Sequence, residues 1–314
     1  MKILSLFDGI SCGRLALERA GIPVEKYYAS EIDKYAIQVT QKNRPDTIQV
    51  GDVTKLNYLE LLDVDMVIGG SPCQDLSIAK QNREGLRGAR SGLFWKYVEA
   101  LEVIHPKWFL LENVASMRNE DRDAITETLK RIYPETECIM INSALVSAQQ
   151  RKRYYWTNWH VEQPQDKGIL LKDILESGLP YLEKSQSLTA SYDGAVFWNS
   201  IQRKQRTMVA EPVRIGELDG LGKGQANRIY SVRGKSVCLN ANGGGGGAKT
   251  GLYKVDLPDG DYIIRKLTPV ECERLQTLPD NWTAGVSNTQ RYKAIGNGWT
   301  VDVIAWIFSQ IPKE

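Results

Sequence analysis

The chain has 314 residues, a length that allows two domains or one large α/β domain with a smaller lobe inserted into it. A composition of 42% hydrophobic and 25% charged residues, without any apolar run near the ~18 residues of a membrane span, excludes fibrous, wholly disordered and membrane-spanning chains. The net charge of +2 combines +6 within residues 201–250 with −4 elsewhere, which indicates a localised contact with a polyanion or, alternatively, a solvated charged face.

Strands and helices alternate through the first third of the chain. Hydrophobic patterns predict strands at residues 2–7, 27–30, 48–50, 65–68 and 108–111. Helical periodicity covers residues 13–20, 35–42 and 95–104. This alternation favours parallel strand pairing and a doubly wound α/β sheet. Since the chain also begins without the apolar segment and cleavage site of a secretory signal, we expect a cytoplasmic protein.

The pattern changes after about residue 170. Short strand-like runs appear at residues 228–232 and 236–239, and residues 243–247 are all glycine, which is typical of a loop-rich lobe. Helical periodicity returns at residues 270–278 and 301–310. The last of these helices carries an apolar stripe that would pack on the first lobe, so we expect the second lobe to be an insertion rather than a tail.

Polar or glycine residues follow each of four predicted strands. They are Asp8-Gly9, Glu31, the run from Gly70 to Cys73, and Glu112-Asn113. Ligands of doubly wound sheets bind beyond the carboxyl ends of the strands. The four segments are therefore expected to form one site along one edge of the sheet.

The first two segments are typical of a nucleotide-like ligand. Glycines in the loop from Asp8 to Gly13 would allow close approach of the backbone, and Glu31 could accept both hydroxyls of a ribose. An acid that balances a helix dipole is the alternative for Glu31. Asp52, after a further short strand, could reach an adenine amino group.

The other two segments are typical of covalent catalysis. Five scattered cysteines without a C-x-x-C pair argue against a disulfide framework or a zinc ribbon, and His105 and His160 are too few for a His-rich site. Cys73 lies in a loop where backbone amides can stabilise a thiolate, although a lone cysteine is more often an inert buried residue. Glu112 could hold a proton near neutrality if it were buried without an ion-pair partner.

The motifs together resemble the DNA (cytosine-5)-methyltransferase family over nearly the whole chain and in the family's order. They are FDGISCG at 7–13, SPCQ at 71–74, ENV at 112–114, QRKR at 150–153, RKLTPVEC at 265–272 and IGNG at 295–298. The basic lobe is similar to that of bacterial and phage restriction-modification enzymes. The catalytic lobe is also similar to the animal de novo methyltransferases.

The resemblance implies a Rossmann-like S-adenosyl-L-methionine (SAM) methyltransferase sheet with an inserted target-recognition lobe. It implies a catalytic domain at 1–172 and 291–314, a recognition domain at 173–268 and a hinge with a linking helix at 269–290. The implied catalytic residues are Cys73 as nucleophile, Glu112 at cytosine N3, Arg153 at O2, and Arg151 in support of the Glu112 and Cys73 loops. In this mechanism the cytosine is flipped out of the DNA stack and bound covalently at C6.

The resemblance also implies the binding residues. Those for SAM are Phe7, Asp8, Gly9, Ile10, Gly13, Glu31, Ile32, Asp52, Val53, Gly70, Pro72, Leu93, Asn297, Gly298 and Trp299. Those for DNA are Gln74, Ser77, Arg90, Gln225, Arg228, Asn240, Asn242, Gly243 and Lys249. The glycine run within this set could instead be a flexible linker.

The expected cofactor is SAM, with S-adenosyl-L-homocysteine as product and no metal. The expected partner is double-stranded DNA, bound by a monomer, and a cognate restriction endonuclease would be a further partner. A tRNA cytosine-5 methyltransferase of the same fold is one alternative, which the long basic insertion disfavours. A catalytically silent SAM-fold binding module is another, but such a module would be expected to lack Cys73, Glu112 or Arg153.

Overall fold

The computed structural model describes residues 1–70, 92–177, 179–180, 182–196, 206–212, 229–231, 252–257 and 260–313. The predicted SAM residue Pro72, the nucleophile Cys73 and all of the predicted DNA-binding residues lie outside these ranges. The strand-like run at 236–239 and the glycine run also lie outside them.

Seven strands form the larger sheet, in the spatial order β3-β2-β1-β4-β5-β7-β6. Their bounds are β1 Lys2–Leu6, β2 Lys26–Ser30, β3 Ile48–Gln49, β4 Met66–Gly70, β5 Trp108–Val114, β6 Glu137–Asn142 and β7 Lys152–Thr157. The strands from β1 to β5 pair in parallel, as predicted. Strand β4 continues through Gly69 and Gly70, two residues beyond the strand predicted at 65–68.

Strand β7 runs in the opposite direction to the parallel strands. It is antiparallel to both β5 and β6. Only nine residues separate β6 from β7, and they include a single short 3-10 turn, Ser143–Leu145. A parallel crossover needs a dozen or more residues, so this connection is too short to return the chain to the opposite edge of the sheet.

Seven helices are assigned within the described residues. They are α1 Cys12–Arg19, α2 Lys34–Asn43, α3 Gly92–Ile104, α4 Asn119–Ile132, α5 Pro269–Leu275, α6 Asn288–Asn297 and α7 Val301–Ser309. None of these helices combines the length and the apolar character that crossing a membrane requires. The sequence analysis did not identify α4, α6 or strand β6.

Both faces of the larger sheet are buried against helices. Ile3 and Ile68 share one apolar cluster with residues of α1 and α7. Leu4 and Val67, which point to the other face, share a second cluster with residues of α3. Because successive strand residues point to opposite faces, this arrangement favours strands with apolar residues at consecutive positions. The doubly wound α/β fold and the docking of the last helix on the first lobe are thereby confirmed.

A second, five-stranded sheet has the order β10-β11-β12-β9-β8. Its strands are β8 Leu179–Pro180, β9 Met208–Pro212, β10 Ile229–Ser231, β11 Leu252–Leu257 and β12 Gly260–Lys266. Strand β10 confirms the strand-like run predicted at 228–232. A third apolar cluster joins Val209 and Leu267 at this sheet to Leu275 of α5 and to Tyr292 and Ile295 of α6.

Helix α5 carries two fully buried carboxylates that bond to different parts of the chain. Glu271 forms a capping box with Thr268 and pairs with Arg265 of β12 at 2.7 Å. Glu273 pairs with Arg291 of α6 at 2.9 Å and accepts the backbone N–H groups of Asn281 and Thr283. Helix α5 therefore connects the second sheet to α6 through two buried carboxylates, each of which is paired with an arginine.

Removal of the Glu273 carboxylate is expected to be strongly destabilising. Glu273→Ala leaves the Arg291 guanidinium, whose side chain is only 12% exposed, without its counter-charge. Breaking a buried pair in this way costs about 3–5 kcal/mol of unfolding free energy. Chemical denaturation followed by circular dichroism measures the change.

The neighbouring pair Arg274–Asp280 provides a matched control. The Asp280 side chain is 46% exposed, so Asp280→Ala should cost no more than about 1 kcal/mol. Equal losses of unfolding free energy in Glu273→Ala and Asp280→Ala would contradict the role assigned to Glu273.

Candidate active site

A cavity of about 640 Å³ opens at the carboxyl ends of β1, β2, β4 and β5. This is the edge at which the sequence placed the four polar segments. The predicted residues that line it are Phe7, Asp8, Gly9, Ile10, Glu31, Ile32, Asp52, Val53, Gly70, Leu93, Glu112, Arg151, Arg153, Asn297, Gly298 and Trp299. Gly13 does not line the cavity. It lies in α1, where an added Cβ would be 2.6 Å from Ile68 Cδ1.

The loop from Phe7 to Ser11 turns sharply between β1 and α1. Phe7 and Ser11, neither of them glycine, both have left-handed backbones, with φ of 59° and 57°. Such conformations cost of order 1–3 kcal/mol each and persist only where the surroundings impose them. The Asp8 carboxylate, which accepts hydrogen bonds from Tyr27 Oη at 2.7 Å and from Ser11 Oγ, ties the loop to β2 and α1. Burial raises the pKa of Asp8.

Glu31 connects this loop to the end of β2. Its Oε2 accepts the Gly9 N–H at 2.8 Å, and its Oε1 accepts the N–H groups of Ile32 and Asp33 at 2.7 and 2.8 Å. A carboxylate has about four acceptor positions, so these bonds leave about one, on Oε2, for a ligand. The N-cap of α2 is Asp33, not Glu31, which weakens the helix-dipole alternative for Glu31.

The cavity wall beside Glu31 combines an apolar and an acidic residue. Ile32 is 76% exposed, which is unusual for a large aliphatic side chain. Asp52 accepts the backbone N–H of Thr54 at 2.9 Å and its hydroxyl at 2.8 Å, and the two bonds lower the pKa of Asp52. The carboxylate therefore stays ionised while it caps the turn that contains Val53.

Glu112 lines the cavity and is only 9% exposed. Its Oε1 is 2.9 Å from Arg153 Nε, and its Oε2 accepts the indole N–H of Trp299 at 3.1 Å. The condition under which Glu112 was expected to hold a proton, burial without an ion-pair partner, is therefore not met. Arg153, expected to be directed at the substrate, contacts Glu112 because β7 runs antiparallel to β5.

Gly70 provides the space for this arrangement. The β4–β5 register pairs Gly70 with Glu112. A Cβ added at Gly70 would be 2.9 Å from Glu112 Oε2 and 2.9 Å from Trp299 Nε1. A larger residue at the end of β4 would therefore displace the carboxylate or the indole.

Arg151 is 4% exposed and donates to three backbone carbonyls, those of Leu188 at 2.8 Å, Gly296 at 3.2 Å and Gly298 at 3.0 Å. These bonds join the residue that precedes β7 to the segments at 187–190 and 296–299, which both line the cavity. Arg151 was expected to support the Glu112 and Cys73 loops. Its hydrogen bonds to Leu188, Gly296 and Gly298 support the opposite wall, and the Cys73 loop lies outside the described residues.

The wall formed by α6 approaches the segment at 187–190 very closely. A Cβ added at Gly296 would overlap the backbone of Thr189 and Ala190. Gln276, fully buried, donates to the carbonyls of Ile295 at 2.9 Å and Gly298 at 3.1 Å. The glycine at 296 and the buried amide together fix the backbone on both sides of Asn297.

The sequence analysis missed several lining residues, notably Ser116, Ser187, Thr189, Gln290 and Lys293. Lys293 pairs with Asp33 at 2.6 Å and so connects α6 to the start of α2. A polar residue at such a position is typical of any helix surface. Its place at the cavity could have been inferred only through the periodicity of α6, which was not recognised.

Cys12, Cys138 and Cys272 are unpaired thiols. Burial raises the pKa of Cys12 and of Cys138 to about 12, and it also raises that of Cys272. A thiol that stays protonated at neutral pH is a poor nucleophile. Within the ranges described, no cluster of three or more His, Cys, Asp or Glu side chains could hold a metal ion.

Comparison with known proteins identifies relatives that match nearly the whole chain. A family model described as C-5 cytosine-specific DNA methylase matches residues 1–313. The type II methyltransferase M.HhaI of Haemophilus parahaemolyticus is 31% identical, with 98% of this chain and 93% of the relative covered. The orphan methyltransferase M.SPRI of Bacillus phage SPR is 25% identical, with coverage of 99% and 97%.

Solved structures show the same fold. A DNA modification methyltransferase encoded within an Escherichia coli prophage superposes with a TM-score of 0.61 at 18% identity, covering 99% of this chain and 98% of the other. A DNMT2 variant from Spodoptera frugiperda gives a TM-score of 0.62 at 19% identity, covering 97% of each chain. Together with the family model that matches nearly every residue, these findings show that the chain belongs to the C-5 cytosine-specific DNA methylase family.

Proposed function

We propose that the protein transfers a methyl group from SAM to C5 of a flipped cytosine in a short, specific DNA sequence, through a covalent bond between Cys73 and C6. The observation that carries the proposal is the Glu112–Arg153 pair beside Gly70. Three residues of chain reach at most roughly 11 Å, so Cys73 is tethered within that distance of Gly70. A nucleophile, an acid and a cation can thus meet at one base.

The cavity fits SAM in size and in chemistry. Its volume of about 640 Å³ lies within the usual range for small-molecule sites. The remaining acceptor position of Glu31 suits a ribose hydroxyl, and the exposed Ile32 offers an apolar surface to an adenine ring. When bound, SAM supplies an electrophilic methyl group on its sulfonium. Loop residues Phe7 to Ile10 would hold it in place.

The proposed reaction begins with addition of the Cys73 thiolate to C6, because C5 of cytosine is a poor nucleophile without it. Negative charge then develops over N3 and O2 of the ring. Glu112 stabilises the charge at N3 through a proton that is taken up from solvent as the base binds and is shared with the ring nitrogen, while Arg153 uses its remaining N–H donors at O2. Because the two side chains are already paired, they meet the base as a prearranged unit.

In the second half of the reaction C5 attacks the methyl carbon, and the bond from that carbon to sulfur breaks to leave S-adenosyl-L-homocysteine. Loss of the C5 proton to water and release of Cys73 from C6 then restore the aromatic ring and the thiolate. C6 is inaccessible within stacked DNA, so the base must be flipped into the cavity before Cys73 can reach it. Arg151 acts as a positioning residue, because its described bonds hold the wall that carries Asn297.

We further propose the division of the chain suggested by its motifs. The catalytic domain comprises 1–172 and 291–314, the recognition domain 173–268, and the hinge 269–290. The buried ion pairs of α5 on both sides support a linking role for the hinge. The net charge of +6 within 201–250 supports contact of the recognition domain with DNA. The bacterial and phage relatives support action in the cytoplasm. The type II methyltransferase M.HhaI supports partnership with a restriction endonuclease, whereas the orphan methyltransferase M.SPRI does not.

Bisulfite sequencing of plasmid DNA from cells that express the protein tests the proposal directly. The expected result is that cytosines within one short sequence context resist bisulfite conversion. Complete conversion of every cytosine, from cells in which the protein is folded and binds SAM, would contradict it.

Cys73→Ser should abolish methylation and leave SAM binding intact. A serine hydroxyl forms an alkoxide far less readily than cysteine forms a thiolate, and the cofactor loop belongs to a different strand end. Methyl transfer from labelled SAM measures the loss, and calorimetry measures the retained affinity. Cys138→Ser is the matched control, since burial keeps that thiol protonated and it lies outside the cavity lining.

DNA that carries 5-fluorocytosine extends the same test. With no C5 proton to remove, the wild-type protein should form an adduct that survives denaturation, and Cys73→Ser should form none. The covalent route would be contradicted if Cys73→Ser retained more than a few per cent of the wild-type rate of methyl transfer. It would also be contradicted if the wild-type protein formed no adduct.

Glu31→Ala should weaken SAM binding more than DNA binding. The substitution removes a charged hydrogen-bond acceptor and also releases the Gly9 N–H, at a cost of roughly 1.5–3 kcal/mol. Calorimetric titration with SAM measures the change. Glu25→Ala, which removes a largely exposed carboxylate outside the cavity, should have no effect. Unchanged affinity in Glu31→Ala would remove Glu31 from the SAM site.

Arg228→Ala separates sequence reading from simple attraction to DNA. If Arg228 contacts a guanine through two hydrogen bonds, its loss should cost about 1–3 kcal/mol and relax selectivity at one base position. If it contacts phosphate, the rate should fall uniformly and the salt dependence should flatten by about one unit of slope. Bisulfite sequencing of methylated random DNA decides between these outcomes. An unchanged sequence preference would leave Gln225 and the loop from Asn240 to Gly247 as the remaining candidates.

A further inference from the structure

The side chain of Trp299 contacts the proposed catalytic acid directly. Its indole Nε1 donates to Glu112 Oε2 at 3.1 Å, while Arg153 Nε lies 2.9 Å from Oε1 of the same carboxylate. Each carboxylate oxygen therefore has its own donor, one neutral and one charged. The resemblance assigned Trp299 to the cofactor wall, and that role does not use its N–H.

We propose that Trp299 is a positioning residue for Glu112. The indole N–H of Trp299 fixes the plane of the Glu112 carboxylate for contact with the target base. The inference rests on the proposed role of Glu112 at cytosine N3. The last torsion of a glutamate is broad, so a carboxylate held at one oxygen alone can rotate. A second donor on the other oxygen removes that freedom.

The indole is itself held in place from two sides. A Cβ added at Gly13 would be 3.3 Å from its ring, and one added at Gly70 would be 2.9 Å from its Nε1. Both positions are glycine, which lets the ring lie flush against α1 and the end of β4. The N–H group therefore has little freedom to leave Glu112.

The backbone on either side of Trp299 is equally constrained. The preceding carbonyl, that of Gly298, accepts bonds from Arg151 at 3.0 Å and from Gln276 at 3.1 Å. The following residue, Thr300, is buried, donates to Gln276 Oε1 at 2.8 Å and bonds to Ser143 at 2.9 Å. A donor fixed in this way can orient a carboxylate without cost at the moment of reaction.

The remaining acceptor capacity of Glu112 is compatible with this role. A carboxylate accepts about four hydrogen bonds, and Arg153 and Trp299 account for two. The other positions stay available for the base. Since small errors in the placement of a catalytic group lower the rate steeply, loss of the Trp299 bond should appear in kcat rather than in binding.

Trp299→Phe tests the inference because it keeps an aromatic ring and removes the N–H. We expect kcat for DNA methylation to fall about tenfold to hundredfold, with KM for SAM unchanged within about twofold. Trp159→Phe is the matched control. It removes an indole hydrogen bond of similar length, 3.2 Å to the Ile307 carbonyl of α7. Neither residue lines the cavity, so this variant should leave kcat unchanged.

A second measurement does not depend on methyl transfer. The chain has 8 tryptophans, and Trp299→Phe identifies which indole N–H resonance belongs to Trp299 in a ¹⁵N NMR spectrum. That resonance should move upfield in Glu112→Gln, where a neutral amide replaces the carboxylate. The other indole resonances report whether each variant is folded.

The outcomes separate the inference from the proposed function. A Trp299 resonance that does not respond to Glu112→Gln, or a Trp299→Phe variant that loses only SAM affinity, would overturn the positioning role. A wild-type protein without methyltransferase activity would instead contradict the proposed function, while the NMR result would still report the contact.

Discussion

The Glu112–Arg153 ion pair is the interaction on which the rest of the cavity depends. Glu112 lies near the carboxyl end of β5, whereas Arg153 lies at the beginning of β7. In a wholly parallel sheet these two positions would lie at opposite edges. Because β7 is antiparallel, its register places Arg153 opposite Val114, diagonal to Glu112 on the neighbouring strand. The reversal of one strand therefore brings the acid and the cation together.

A buried polar network holds the opposite wall of the cavity. Arg151 and Gln276 share the Gly298 carbonyl, and Gln276 also bonds Thr300, next to Trp299. Buried polar groups of this kind specify one arrangement when every member is satisfied. The network joins β7, α5 and the end of α6, which are far apart in sequence. The C-terminal segment is consequently as much a part of the site as the first strand.

The sequence predicted the parts of the molecule that local patterns determine. Apolar runs identified strands β1, β2, β4 and β5, and polar residues after these strands identified the edge that carries the cavity. The reversal of β7 was not predicted, because it depends on the short connection from β6, a strand that was itself missed. Helix α4 was also missed, although Glu120 and Asp121 in its first turn and Lys130 and Arg131 in its last turn are typical helix-end residues. The Trp299 contact could not be inferred, since it joins residues 187 positions apart.

The central claim is that this edge of the sheet methylates cytosine in duplex DNA. The most direct measurement supplies the purified protein with SAM labelled in its methyl group and with duplex DNA and tRNA in parallel, followed by mass spectrometry of the nucleosides. The account predicts label in 5-methyldeoxycytidine from the duplex and none in the tRNA. Label confined to 5-methylcytidine from tRNA, or a methylated base other than cytosine, would contradict it.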